Sequence, residues 1–185
     1  MRCIVALVFA ALICACASTG AELGPVAPRT AWVVGTEGRA VGQATFIEGP
    51  AGVLIRLEFS EHGLPSGWHG LHLHQRGDCS DFAAGFQASG GHLGMDGRIQ
   101  HGLMNAGGPE VGDLPNLLAT ERGAFGAEFL SPRVTLRGQA VRERAPLLDA
   151  DGTALIIHAG TDDHVSQPIG GAGARIACAA LTPAP

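Results

Sequence analysis

The stretch Val53-Leu54-Ile55-Arg56-Leu57-Glu58-Phe59-Ser60 decides the fold class. Val53, Ile55, Leu57 and Phe59 alternate with Leu54, Arg56, Glu58 and Ser60, and a period of two belongs to a β-strand with one buried face. Outward from it, short apolar segments recur between turn signals. Thr30 to Val34 and Ala40 to Ile47 flank Gly35-Thr36-Glu37-Gly38, a hairpin-like turn. Trp68 to Gln75 reads as one strand, Ala124 to Phe129 and Val134 to Leu136 as later ones, and Ala154 to His158 and Arg175 to Leu181 as the last two. The 28 glycines and 11 prolines supply many turns, and 185 residues suffice for one domain with a real core. The expectation is an all-β fold, a Greek-key sandwich or barrel over residues 30–182. Two long connections depart from this pattern. Residues 76–116 are Gly-rich and weakly periodic, and 159–174 are irregular. A connection as long as the first inside a compact domain points to function.

Residues 1–17 differ in character. Arg2 precedes an apolar run of small residues, too short to span a membrane and suited to a secretory signal. Ala15-Cys16-Ala17 forms an A-x-A cleavage pattern before Ser18; the alternative is a lipoprotein signal with Cys16 as the lipid anchor. Residues 18–29 read as a flexible lead-in. Once the signal is removed only Cys79 and Cys178 remain, and two cysteines in an oxidising compartment most often pair. Two free thiols would require a reducing compartment. The 12 basic residues are all Arg, and the chain carries −5; loss of Arg2 with the signal leaves 11 Arg against 17 acidic residues, or −6. With that balance and no basic stripe, nucleic acid and anionic membrane are poor partners.

Seven of the eight histidines fall in or near three clusters. His72 and His74 are two apart on an expected strand, so both point to one face, where two imidazoles can chelate one ion. Alone, such a pair is more often just surface histidines. The long connection adds His92, His101, Glu110 and Asp113, two nitrogen and two oxygen donors able to form a tetrahedral zinc site. His158 closes the apolar strand Leu155-Ile156-Ile157.

In this order the motifs resemble the copper/zinc superoxide dismutases, especially exported bacterial ones, over residues 30–182. The resemblance is carried by Gly70-Leu71-His72-Leu73-His74, Gly77-Asp78-Cys79, Gly90-Gly91-His92, His101-Gly102, Gly112-Asp113-Leu114-Pro115-Asn116, Ile157-His158-Ala159-Gly160 with Asp162-Asp163, and Gly171-Ala172-Gly173-Ala174-Arg175-Ile176-Ala177-Cys178. It implies copper on His72, His74, His92 and His158, with His92 shared with zinc and His101 and Asp113 as further zinc ligands. It implies Asp162 as the carboxylate joining a copper histidine to a zinc histidine, and Arg175 as the guide for superoxide. It implies a disulfide between Cys79 and Cys178, and it makes 76–116 the metal-binding and disulfide loop and 159–174 the electrostatic loop. The implied activity is conversion of superoxide to oxygen and hydrogen peroxide by a Cu(II)/Cu(I) cycle. His92 would be released from copper and protonated in that cycle, and the enzyme would protect the cell envelope from a periplasmic or secreted location. A homodimer and a monomer are both compatible with the resemblance.

The chain departs from the family pattern in four places. Glu110 stands where a third zinc histidine is expected, and a carboxylate is a competent zinc ligand. Leu93-Gly94 replaces the usual aromatic-Asn-Pro after His92. The interval from His92 to His101 is one residue longer than is common. The loop 159–174 has no Lys; Arg175 is the main steering candidate and protonated His164 a weaker one, while Arg76 and Arg98, also weaker candidates, read better as solvating surface groups. The competing readings are a copper-only or zinc-impaired dismutase and a non-enzymatic exported copper-binding protein.

Overall fold

A computed structural model describes residues 24–183. The signal assigned to 1–17, with Cys16, lies outside the described residues. So does most of the lead-in; within it Val26 packs against the core, and the Gly24 carbonyl accepts a hydrogen bond from Arg137.

Eleven strands follow: β1 (Arg29–Gly35), β2 (Ala40–Gly49), β3 (Gly52–Phe59), β4 (Gly67–His69), β5 (Leu71–His74), β6 (Leu117–Ala119), β7 (Phe125–Ser131), β8 (Val134–Thr135), β9 (Ala145–Pro146), β10 (Thr153–His158) and β11 (Arg175–Leu181). Seven of them form one antiparallel sheet in the order β5-β10-β11-β1-β2-β3-β7. The meander β1-β2-β3 is followed by a jump to the far edge at β5, and β7 likewise leads back to β10 beside it. Those two crossings make the Greek key. Strand twist curls the sheet, so that Leu71 and Leu73 of β5 share one buried core with Val53, Ile55, Leu57 and Phe59 of β3. Burying each such side chain is worth roughly 1.5–3 kcal/mol. Along β3 the alternate residues Arg56 and Glu58 are exposed, and Phe59 stacks on its cross-strand partner Phe125 at 4.8 Å.

β5 and β10 are buried on both faces. Leu71, Leu73, Leu155 and Ile157 point into the main core, while His72, Ile156, His74 and Ala154 share the outer face as directly opposed pairs. The 76–116 connection covers that outer face. Phe86 packs there on Ala154, Ile156 and Cys178, with Cys79 alongside. Cys79 and Cys178 form a disulfide across 99 residues, with Cα atoms 5.8 Å apart, which staples the loop to β11.

The strand expected over 68–75 is instead two strands. Gly70 divides them: its N–H donates to the Gly160 carbonyl at 2.7 Å and its carbonyl accepts from His158 at 2.9 Å. A β-carbon at 70 would stand 2.7 Å from that of Ala172, so only glycine lets the last loop come this close. β4 then pairs with β6, and β5 with β10. β6 and β9 were not anticipated; three and two residues are too short to show a period.

Candidate metal centre

The outer face of β5 and β10 carries His72, His74 and His158. A register shift between Ile157 and His158 ends the regular ladder, and His158 is paired with Arg175 of β11. The long loop supplies His92 by running back along the free edge of β5. Gln75 donates to the Gly91 carbonyl at 3.0 Å, Leu93 to the Leu73 carbonyl at 2.8 Å, and Leu73 to the Gly112 carbonyl at 2.8 Å. Gly112 has to be glycine, because a β-carbon would lie 2.3 Å from the Leu73 oxygen. His74 and His92 thereby become bridge partners, as do His72 and Asp113.

His72, His74, His92 and His158 are all buried, and each offers a ligand nitrogen within 4.8 Å of the others. Ring centroids of His72 and His92 are 4.1 Å apart, and those of His72 and His158 are 4.9 Å apart. One nitrogen of each ring is engaged. His72 Nε2–H donates to Asp162 at 2.9 Å, His74 Nδ1–H to the Gly90 carbonyl at 2.9 Å, and His158 Nδ1–H to the Gly173 carbonyl at 2.9 Å. His92 Nδ1 lies 2.8 Å from Glu110 Oε2. The remaining nitrogens, His72 Nδ1, His74 Nε2, His92 Nε2 and His158 Nε2, are buried with no hydrogen-bond partner. In the first three bonds the donated proton fixes the tautomer and leaves a lone pair on the free nitrogen. Four unpartnered ring nitrogens in one dry spot are costly unless a cation takes them, and an all-imidazole donor set suits copper.

Burial keeps three of the rings, those of His72, His74 and His158, neutral. It pushes His72 down to about 4, His74 to about 2 and His158 to about 3, with neighbouring imidazoles adding to the effect.

A second donor group lies on the other side of His92. His92 Nδ1 is 2.8 Å from Glu110 Oε2 and 3.7 Å from Asp113 Oδ1, and His101 Nδ1 is 3.8 and 2.8 Å from the same two oxygens. Four ligands held tetrahedrally at about 2.1 Å from zinc sit about 3.4 Å apart, within that spread. His72 is also near His101 and Asp113, but its Nε2 is committed to Asp162. Asp113 organises this loop: its Oδ2 accepts from the backbone N–H of Gly102 at 2.8 Å and of Glu110 at 2.9 Å, which turns Oδ1 toward His101. Burial opposes the charge on Asp113, yet these bonds hold its carboxyl below the usual range. Burial alone would lower His101, but its hydrogen bonds to Asp113 and Asp162 raise it to about 10.

Asp162 joins the two groups. Oδ2 accepts from His72 Nε2 at 2.9 Å and Oδ1 from His101 Nε2 at 3.1 Å. Despite its burial, these bonds and one from the His164 backbone hold Asp162 well below the usual carboxylate range.

Arg175 lies at the rim. Its guanidinium donates to the carbonyls of Phe86 and Gly90, both at 2.8 Å, and to Ser89 Oγ at 3.1 Å. Gly90 O is also the acceptor of His74, so the cation is one hydrogen bond from the imidazoles. Arg76 donates to the Ala88 carbonyl, Arg98 is paired with Asp96 at 2.6 Å, and His164 is turned toward Asp162. Sequence reasoning gave no role to the carbonyls of Gly90 and Gly173, since a main-chain acceptor has no side-chain signature. It also gave none to Asn116, although that residue stands in a quoted motif.

The copper/zinc superoxide dismutase family profile matches residues 40–181. A copper/zinc superoxide dismutase of Caulobacter vibrioides is 45% identical over 82% of this chain and 84% of its own length. The crystal structure of a dismutase-like protein from Bacillus subtilis superposes with a TM-score of 0.73 at 31% identity, covering 82% of this chain and 97% of that one. The copper/zinc superoxide dismutase from Brucella abortus gives 0.62 at 27% identity, covering 84% and 99%. With the profile spanning most of the chain and relatives of this identity, the chain belongs to the copper/zinc superoxide dismutase family.

Proposed function

We propose that this protein is a superoxide dismutase that holds copper on His72 Nδ1, His74 Nε2, His92 Nε2 and His158 Nε2, and zinc on His92, His101, Glu110 and Asp113. The observation that carries the assignment is the set of four buried, unpartnered imidazole nitrogens gathered within reach of one ion. Copper, when bound, supplies the one-electron couple by which two superoxide ions and two protons become oxygen and hydrogen peroxide. The protein does the rest. Arg175 attracts and docks the anion, a local positive field being needed in a net negative chain. The carbonyls of Gly90 and Gly173 and the carboxylate of Asp162 keep the rings oriented with their lone pairs inward. His92, with donors on both sides, is the ring suited to carry a proton on Nε2 to the departing peroxide.

Superoxide loss by protein reconstituted with copper and zinc, against metal-free protein, tests the activity. Anomalous scattering at the two metal edges tests the ligands. Equal rates from loaded and metal-free protein would leave the fold a metal store rather than an enzyme. The disulfide fits an oxidising compartment. We place the enzyme in the periplasm or outside the cell, guarding the envelope. Intact mass of the mature chain distinguishes a start at Ser18 from a lipid on Cys16, and sedimentation distinguishes a homodimer from a monomer.

A further inference from the structure

His164, a lesser steering candidate, has its ring beside Asp162. Its side chain is 19% exposed, and Nδ1 lies 3.3 Å from Asp162 Oδ2. Which nitrogen carries the proton follows from Asn116. The Asn116 Oδ1 accepts from the Asp162 backbone N–H at 2.9 Å, and its Nδ2 donates to the Asp162 carbonyl at 2.8 Å. Those two bonds fix which end of the amide is which. The same Nδ2 lies 3.0 Å from His164 Nε2. An amide nitrogen is a donor only, so Nε2 has to be the acceptor, and a neutral imidazole then carries its proton on Nδ1. Nδ1 makes no hydrogen bond, and Asp162 Oδ2 lies 3.3 Å from it, an ion-pair distance outside hydrogen-bond geometry.

We propose that His164 is a positioning residue for Asp162, giving its carboxylate a third imidazole and so fixing the orientation of both His72 and His101. Oδ1 accepts from His101 Nε2 and from the backbone N–H of His164 at 2.6 Å, while Oδ2 accepts from His72 and has His164 Nδ1 beside it at 3.3 Å. A carboxylate held by three hydrogen bonds, with a further imidazole packed beside it, has little freedom to rotate. Partners of this kind behind metal ligands are typically worth about 10–100-fold in metal affinity. The inference rests on the zinc reading proposed above and extends it to a residue that touches no metal.

Two variants test it. His164→Ala removes the ring; His164→Asn keeps an N–H donor close to the Nδ1 position and tolerates the left-handed φ of 61° found here. The readouts are zinc affinity by chelator competition and the visible spectrum of cobalt substituted for zinc. His164→Ala is expected to lose about tenfold in zinc affinity and to shift the cobalt bands, with His164→Asn recovering most of both. Unchanged affinity and spectrum in His164→Ala overturn the proposal, and so do equal losses in the two variants, which would mean packing alone. Nitrogen NMR of the wild-type holoprotein gives an answer even if His164→Ala does not fold. The Nδ1–H tautomer is expected for His164, and the Nε2–H tautomer overturns the proposal. A wild-type protein that takes up no zinc would instead strike down the zinc assignment itself, and this inference with it.

Discussion

Mild acid should unfold the metal-free protein far more readily than the loaded one. In the unfolded chain the imidazoles of His72, His74 and His158 take up protons below about pH 6.5. In the folded chain they resist protonation until about 4, 2 and 3, because burial penalises their charged forms. The unfolded state therefore binds more protons throughout the window below 6.5, and stability falls as the pH falls through it. At about pH 5 each ring lies about 1.5 pH units into that window, a loss of roughly 2 kcal/mol apiece and roughly 6 kcal/mol for the three. His101 has the opposite sign. Its raised value of about 10 contributes stability that is fully present below 6.5 and is lost as pH rises through 10, so it changes little between neutral and mildly acid conditions. A loss near 6 kcal/mol rivals the whole stability of many domains. Urea unfolding of disulfide-intact, metal-free protein at about pH 7 and pH 5 reads it directly. With a slope of about 2 kcal/mol per molar, the midpoint should fall by about 3 M. Copper on the same nitrogens keeps protons off them, so the loaded protein should move much less. An unchanged midpoint for the metal-free protein would mean that the rings reach water, and the reasoning would fail.

Replacing Cys79 and Cys178 together by Ala opens a 99-residue loop and should cost about 4–5 kcal/mol on a chain-entropy reckoning, measured by the same unfolding assay. Arg175→Ala should slow superoxide loss by about tenfold at low ionic strength and by less in salt, where the Debye length shrinks below about 10 Å; equal losses at both would remove its steering role. Glu110→Ala should lower zinc affinity at least about tenfold, whereas Glu110→His, which restores a nitrogen donor, should keep zinc bound. Chelator competition measures both, and zinc affinity untouched in Glu110→Ala would take that residue out of the site.

The alternation from Val53 to Phe59 was enough to give β3 its buried face, and the same period of two put His72 and His74 on one side and Leu71 and Leu73 on the other. These are local facts, because the direction of a side chain on a strand depends only on the parity of its position. The break at Gly70 was not legible. Its cause is the approach of Ala172, a residue about 100 positions further along, and no local pattern encodes that contact. Glu110 was readable as a donor type, but its arrival beside His92 depends on Asp113 gathering the backbone of Gly102 and Glu110.

By itself, then, the sequence determined the all-β class, the alternation of side chains along a strand and the ordered set of imidazoles and carboxylates, since each depends on residue type and short spacing. Only the tertiary structure decided which ring nitrogens are left bare, which carbonyls and amides set their tautomers, and that the His164 ring comes to lie beside Asp162. Those outcomes depend on distances between segments far apart in the chain, fixed when the long loop closes over β5 and β10 and excludes water from the histidine face.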